Sequence, residues 1–264
     1  NSVIFTNITA GDRAQSTRFD FDGDQKADPA VWTSSNGVWS HLASRDGNQL
    51  KQRAFGQAGD KLVAGDYDGD GVTDYAVYRP SNGHWYIQGT ANGGSFNYYI
   101  WGEAGDIPVT GDFDGDAKSD MVVFRPSNGT WYMRNSQEGF RVFQFGITTD
   151  KPLAADFDGD GRTDVGVFRS GTGYWLNSAE GYRVATFGQA GDIPVAADYD
   201  GDRKAEYAVF RSGTWYFLSR TNYWVRELGV GTDVAAPADF DGDGKTDIAV
   251  FRPSEGKWYI RRSG

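Results

Sequence analysis

Pro194-Val195-Ala196-Ala197, then Asp198-Tyr199-Asp200-Gly201-Asp202-Arg203-Lys204-Ala205-Glu206, then Tyr207-Ala208-Val209-Phe210-Arg211: an acidic loop stands between two apolar runs. Five further copies of the loop open at Asp20, Asp66, Asp112, Asp156 and Asp239, so successive copies start 46, 46, 44, 42 and 41 residues apart. That period is one of a propeller blade rather than of an ankyrin or leucine-rich repeat. Within each copy the carboxylates fall at loop positions 1, 3, 5 and 9. They are Asp20, Asp22, Asp24 and Asp28; Asp66, Asp68, Asp70 and Asp74; Asp112, Asp114, Asp116 and Asp120. The later loops carry Asp156, Asp158, Asp160 and Asp164; Asp198, Asp200, Asp202 and Glu206; Asp239, Asp241, Asp243 and Asp247.

A tight turn with this spacing aims four oxygen-bearing side chains at one centre. The position-7 backbone carbonyl joins them, from Lys26, Val72, Lys118, Arg162, Lys204 and Lys245. All-oxygen ligation suits a hard cation, and up to six Ca²⁺ ions are expected. Asp and Gly favour turns without a metal as well, but six copies in register, each followed by a hydrophobic strand, outweigh that simpler account. An EF-hand fits less well still, because it needs flanking helices and a bidentate Glu at position 12, where this chain has Val31, Val77, Val123, Val167, Val209 and Val250.

The fifth period supplies the blade. Residues 194–199 read as a short inner strand of small residues, 207–211 as the second strand, 215–218 as the third after a Ser212-Gly213 turn, and 223–228 as the outer strand. Each acidic loop is then the hairpin turn between strands one and two, and all six belong on one face of the disc. The last period has no fourth strand before Gly264, and Ser2-Val3-Ile4-Phe5 is expected to supply it, removing two exposed edges. The expected architecture is an all-β, six-bladed β-propeller spanning 1–264 as a single domain.

Composition agrees. The chain has 264 residues, enough for a sizeable core, with 36 Gly and 15% aromatics. It has no Cys, which excludes a disulfide framework or a thiolate metal site. No apolar run reaches membrane-spanning length. Asn1 does not begin a secretory leader, so a removed leader or an excised domain is expected. Six bound calcium ions would carry the formal net charge from −10 to about +2, so the acidity describes the metal-free chain. No basic tract interleaved with aromatics points to nucleic acid.

Phe187-Gly188-Gln189-Ala190-Gly191-Asp192-Ile193-Pro194-Val195, leading into the acidic loop and Ala208-Val209-Phe210-Arg211, resembles FG-GAP/VCBS-type repeats. The resemblance runs the length of the chain. It implies a calcium-binding propeller like those of integrin α-subunit heads, certain fungal lectins and bacterial secreted proteins. It is weakly specific for function, since such propellers bind proteins or glycans, or serve as modules of larger enzymes.

Departures from the repeat mark where sites differ. Position 6 is Gly71, Gly161 and Gly244 in three loops but Gln25, Ala117 and Arg203 in the others, where a positive φ would strain a side chain. Glu206 replaces Asp in the fifth loop, Trp32-Thr33 replaces the aromatic-Arg pair in the first repeat, and Pro29 fits only a strand start. Trp39, Trp85, Trp131, Trp175, Trp215 and Trp258 recur in the third strand and read as inter-blade core. Arg79, Arg125, Arg169, Arg211 and Arg252 are expected to pair with repeated carboxylates such as Asp106 and Asp192.

Non-repeating aromatics carry the recognition reading. Trp224 holds a slot filled by Lys51, Asn97, Arg141 and Arg183 elsewhere, which predicts an exposed indole, and Tyr98 and Tyr99 replace less aromatic pairs. His41 and His84 lie in different blades, so no nucleophile-base set is recognisable. The expectation is a monomeric, secreted or cell-surface recognition module for a glycan or an extracellular protein. The alternatives are the propeller module of a polysaccharide lyase, or a structural unit of a cell-surface protein.

Overall fold

The structure, a computed structural model, describes residues 2–3, 19–91 and 94–264. Every secondary-structure element among them is a strand, and the strands form six antiparallel sheets arranged as the blades of a propeller. The first blade contains β1 (Ser2–Val3), β2 (Ala30–Thr33), β3 (Val38–Ala43) and β4 (Gln49–Ala54). The second has β5 (Lys61–Leu62), β6 (Tyr75–Arg79), β7 (His84–Gln88) and β8 (Phe96–Ile100). The third has β9 (Ile107–Gly111), β10 (Asp120–Arg125), β11 (Thr130–Arg134) and β12 (Phe140–Gln144), and the fourth β13 (Lys151–Ala155), β14 (Asp164–Arg169), β15 (Thr172–Asn177) and β16 (Gly181–Thr186). The fifth has β17 (Ile193–Pro194), β18 (Tyr207–Arg211), β19 (Thr214–Leu218) and β20 (Tyr223–Glu227). The sixth has β21 (Val234–Ala235), β22 (Ile248–Arg252) and β23 (Lys257–Arg261). Strand order follows chain order in every sheet, as in a meander.

The core lies between blades. Val122, Phe124, Trp131 and Met133 of the third blade pack against Ala154, Val165 and Val167 of the fourth, because strand alternation turns one face of each sheet toward its neighbour. Small residues stand where blades converge, such as buried Ala154 and Ala155 in β13, or Ala196 and Ala197 just after β17. Trp39, Trp85, Trp131 and Trp215 are fully buried. Each indole N–H donates to a carbonyl just past its own outer strand, on Phe55, Trp101, Phe145 and Leu228, at 2.8 to 3.0 Å.

Trp175 departs from this pattern. Its blade turns from β14 to β15 through Ser170 and Gly171, both at positive φ, and Arg169 pairs directly with Thr172. Gly173 therefore faces Phe168 in the slot that Trp131 fills opposite Phe124, and Trp175 falls two positions further along. A Cβ on Gly173 would collide with the ring of Tyr207, which occupies the vacated space and stacks on Trp175 at 5.5 Å between centroids.

The five arginines pair as expected. Arg79, Arg125, Arg169, Arg211 and Arg252 grip Asp60, Asp106, Asp150, Asp192 and Asp233 through Nε and Nη2 at 2.6 to 2.9 Å. Each guanidinium also lies 4.2 to 4.8 Å over a third-strand Tyr. Each blade after the first is thus bolted to the turn that enters it.

Closure of the ring corrects the sequence expectation. β1 pairs with β2, Ser2 opposite Thr33 and Val3 opposite Trp32, so it is the inner strand of the first blade and not the outer strand of the last. Pairing there gives buried β2 the inner neighbour it otherwise lacks among the described residues. Ile4, Phe5 and Thr6 lie outside the described residues. The ring is closed instead by Ala27, packed with Ala238, Phe240 and Ala249, and by Val31 against Ala236 and Phe251.

Candidate functional site

The six acidic loops form one continuous belt. The position-8 amide of each loop donates to the position-1 carbonyl of the loop before it: Thr73 to Asp20, Ser119 to Asp66, Thr163 to Asp112, Ala205 to Asp156, Thr246 to Asp198 and Ala27 to Asp239, all at 2.6 to 2.7 Å. The last of these joins the sixth blade to the first. Position-7 side chains follow the same path: Lys118, Arg162, Lys204, Lys245 and Lys26 lie across the position-4 glycines Gly69, Gly115, Gly159, Gly201 and Gly242 of the preceding loops, and Val72 lies across Gly23. A Cβ on Gly69 would sit 2.8 Å from Lys118 Cε, and all six of these glycines have positive φ. The stems of the long cationic side chains therefore lie over the neighbouring loop, and only their backbone faces their own.

Within a loop the carboxylates are fixed by backbone donors. The position-1 Oδ1 accepts from the position-4 amide at 2.6 Å in all six copies. Its Oδ2 accepts from position 6 at 2.7 to 2.9 Å. The position-5 Oδ1 of Asp24, Asp70, Asp116, Asp160, Asp202 and Asp243 accepts from position 7 at 2.9 to 3.0 Å. At position 9, one oxygen of Asp28, Asp74, Asp120, Asp164, Glu206 and Asp247 accepts from position 2 at 2.7 to 2.9 Å. The fold needs these wraps in order to turn the chain.

A hydroxyl that the sequence reading missed completes the site. Ser44, Thr90, Ser136, Ser178 and Ser263 stand just after the third strands; each donates its amide to the position-9 carboxylate at 2.6 to 2.8 Å and its hydroxyl to position 5 at 2.8 to 3.0 Å. In the fifth blade the corresponding Ser219 bonds Asn222 instead, leaving Glu206 without that clasp among the described residues. A hydroxyl residue at the end of every third strand was the available signal.

Three carboxylates converge in each of Asp20-Asp22-Asp28, Asp66-Asp68-Asp70, Asp112-Asp114-Asp120, Asp156-Asp158-Asp164 and Asp198-Asp200-Glu206, with one oxygen of each within 4.8 Å of the others. One oxygen of Asp22, Asp68, Asp114 and Asp158 is buried and has neither solvent nor a hydrogen-bond partner. Burial raises the position-9 carboxyls, against the pull of their backbone donors: Asp28 to about 6, Asp74, Asp120 and Asp164 to about 7, and Glu206 to about 8. Gln25, Ala117 and Arg203 do adopt positive φ, at 67°, 68° and 70°.

The recognition candidates divide. Tyr98 is exposed on β8, in a row with exposed Phe96 and Ile100. Tyr99 points the other way, packing against the inter-blade core with Arg134 5.0 Å over its ring. Trp224 is half-buried rather than free: it lies on Phe217, 5.1 Å between centroids and 10° from parallel, because the third-strand residue it faces is aromatic. His41 is buried in the first blade beside Phe21, and His84 lies in the second beside Tyr86 and Tyr98.

Two clefts open at successive blade junctions. One, of about 280 Å³, lies between the fourth and fifth blades, walled by Trp175, Tyr207 and Leu218. The other, of about 230 Å³, lies between the fifth and sixth, walled by Tyr199, Phe217 and Trp224.

An FG-GAP-like repeat family matches residues 112–167, and the FG-GAP repeat family matches residues 230–264. A comparison with curated protein sequences finds no match. Among solved structures, the chain is similar to an Agrocybe aegerita lectin specific for non-reducing terminal N-acetylglucosamine, at 16% identity and TM-score 0.61 over 99% of this chain and 80% of that one. It is similar to virginiamycin B lyase from Staphylococcus aureus at 11% identity and TM-score 0.53, covering 89% and 75%. It is also similar to BBS1N in complex with ARL6DN, at 16% identity and TM-score 0.53, covering 95% and 78%. At these identities the likeness is one of fold. No helix among the described residues is long and apolar enough to cross a membrane. The two matched repeats and the six-bladed ring support an FG-GAP-type propeller.

Proposed function

We propose that this FG-GAP-type propeller is a calcium-stabilised, secreted or cell-surface recognition module that binds glycans. The observation that carries the metal reading is the set of buried, partnerless oxygens on Asp22, Asp68, Asp114 and Asp158. A buried carboxylate oxygen without a donor is costly, and each sits in a cluster of acidic side chains that form no ion pair among the described residues. Calcium bound there supplies the missing positive charge and ties the loop to the blade. The position-1, -3, -5 and -9 side chains and the position-7 carbonyl are its ligands, while the backbone wraps pre-shape the loop and the third-strand hydroxyls hold position 5 in place. Because each loop is bonded to the next around the whole ring, filling the loops stiffens the rim beside the blade junctions.

Glycan binding is favoured by the clefts at successive junctions, each joining aromatic walls to charged and hydroxyl groups. The listless polar surface of a spacer would not need them; recognition by stacking and hydrogen bonding does. The reading is non-enzymatic and monomeric: His41 and His84 lie in different blades, and the ring nitrogens of His84 meet only the Tyr86 hydroxyl, at 3.5 Å, among the described residues. A protein partner is the second reading, favoured by the exposed row Phe96, Tyr98 and Ile100 on β8, which are 57%, 60% and 68% exposed. A glycan array probed in calcium and again after chelation tests the proposal. Calcium-dependent binding to a defined set of sugars is expected. Array-wide silence in calcium, or turnover of a polyuronate by the protein, would overturn it.

A further inference from the structure

We infer that the junction between the fifth and sixth blades binds an anionic sugar, carboxylated or sulfated; this rests on the glycan-binding reading above. Arg226, Lys245, Arg261 and Arg262 all line that cleft beside Trp224 and Phe217. Among the described residues none of the four makes an ion pair; Arg226 donates only to the carbonyl of Val225. Four uncompensated cations in one cleft of a chain with formal net charge −10 are a poor arrangement for folding alone.

The neighbouring cleft shows what folding alone would do. There Glu180 gathers Lys204 at 3.6 Å, Arg183 at 3.4 Å and Arg220 at 2.6 Å. Glu138 likewise meets Arg162 at 3.0 Å one blade earlier. Glu138 and Glu180 each stand two residues after the hydroxyl that clasps a loop, and each takes the position-7 cation of the next loop. In the fifth blade that place, two residues after Ser219, is Thr221. Lys245 is the position-7 cation it would have neutralised. The uncharged Thr221 thus leaves a cationic wall open toward an indole that is half-buried on Phe217, and an anionic sugar ring offers both a flat apolar surface and an acid for that wall.

The test uses the intact, calcium-loaded protein in titration calorimetry with trigalacturonate, a sulfated galactose trisaccharide and the neutral galactose trisaccharide. One acidic probe, or both, should bind about tenfold or more tightly than the neutral one, with affinity falling as salt rises. The two acidic arms distinguish carboxylate from sulfate. Thr221→Glu, an exposed change that introduces the acid found at this place in the third and fourth blades, should cost about tenfold or more in acidic-probe affinity, and Lys245→Gln should act in the same direction. Arg183→Gln in the neighbouring cleft should not. Equal affinity for acidic and neutral probes, no binding of any of the three, or acidic binding untouched by Thr221→Glu would overturn the inference. Binding of neutral sugars on the array with no acidic preference would sink it while leaving glycan recognition standing.

Discussion

Arg125→Met removes a guanidinium that donates from Nε and Nη2 to both oxygens of Asp106, at 2.8 and 2.9 Å. The Asp106 side chain has no exposure to solvent, whereas that of Arg125 retains 18%. After the change the Asp106 carboxylate keeps one donor, the Glu103 amide at 2.9 Å, and no ion-pair partner; Lys61 reaches only the Asp106 backbone carbonyl, at 3.3 Å. Removing one partner of a buried pair costs about 3 to 5 kcal/mol. The partial exposure of Arg125 lets water reach the vacated space and places the expected cost near the lower bound, about 3 kcal/mol. Loss of the stack over Tyr132, 4.2 Å away, adds about 0.5 to 1 kcal/mol, while Met preserves the packing of the stem. A chain of this size loses about 2 to 4 °C of Tm per kcal/mol, so a drop of roughly 7 to 16 °C is expected. Denaturant unfolding in saturating calcium should compare the parent, Arg125→Met, Asp106→Leu and the double variant. The double variant should be less destabilised than the two single costs summed, since it leaves no buried charge. A single-variant cost within about 0.5 kcal/mol of zero, or strict additivity, would refute the bolt between turn and blade.

Trp224→Ala should cost about 2 to 4 kcal/mol in stability, since it strips a stacked aromatic from a partly buried site; a cost under about 0.5 kcal/mol in thermal melts would return Trp224 to the status of a free surface residue. The metal-free protein should lose stability as pH rises. Its position-9 carboxyls lie above their unfolded values, at about 6 for Asp28, 7 for Asp74, Asp120 and Asp164, and 8 for Glu206. The folded state therefore holds protons that the unfolded state has shed, and their contribution is present below about pH 4 and lost through pH 6 to 8. Melting of resin-stripped protein from pH 5 to 9 should show Tm falling through this window, with calcium cancelling most of the fall near neutrality. A metal-free Tm that climbs with pH would contradict the burial that raises these groups.

The sequence exposed what repeats at fixed distance from the loops. The four-strand period, the facing of the loops, the arginine bolts and the positive φ at Gln25, Ala117 and Arg203 all follow from spacing and from the demands of a tight turn. Features set by turn length were hidden. Trp175 lies six residues after Arg169, just as Trp131 lies six after Arg125, but a shorter hairpin moves it two places along its strand. The clasping hydroxyls were obscured in the same way, because Ser136 and Ser178 follow their position-9 carboxylates by 16 and 14 residues and align only once strand ends are known. The backbone belt from loop to loop leaves no mark on side-chain identity at all, so the true closure, Ala27 to Asp239, could not be read from composition or pattern. Trp224 was legible as a slot but not as a contact, since its cover comes from Phe217 across the strand pair.

Calcium stoichiometry tests the central claim most directly. Resin-stripped protein titrated with Ca²⁺ by calorimetry, with native mass spectrometry counting bound ions, should take up six per chain. Asp114→Asn alters a proposed position-3 ligand, one oxygen of which is already held by the amides of Gln137 and Glu138 at 2.8 Å. It should remove one ion while leaving the other five. Uptake of no calcium, or a count unchanged by Asp114→Asn, would contradict the account.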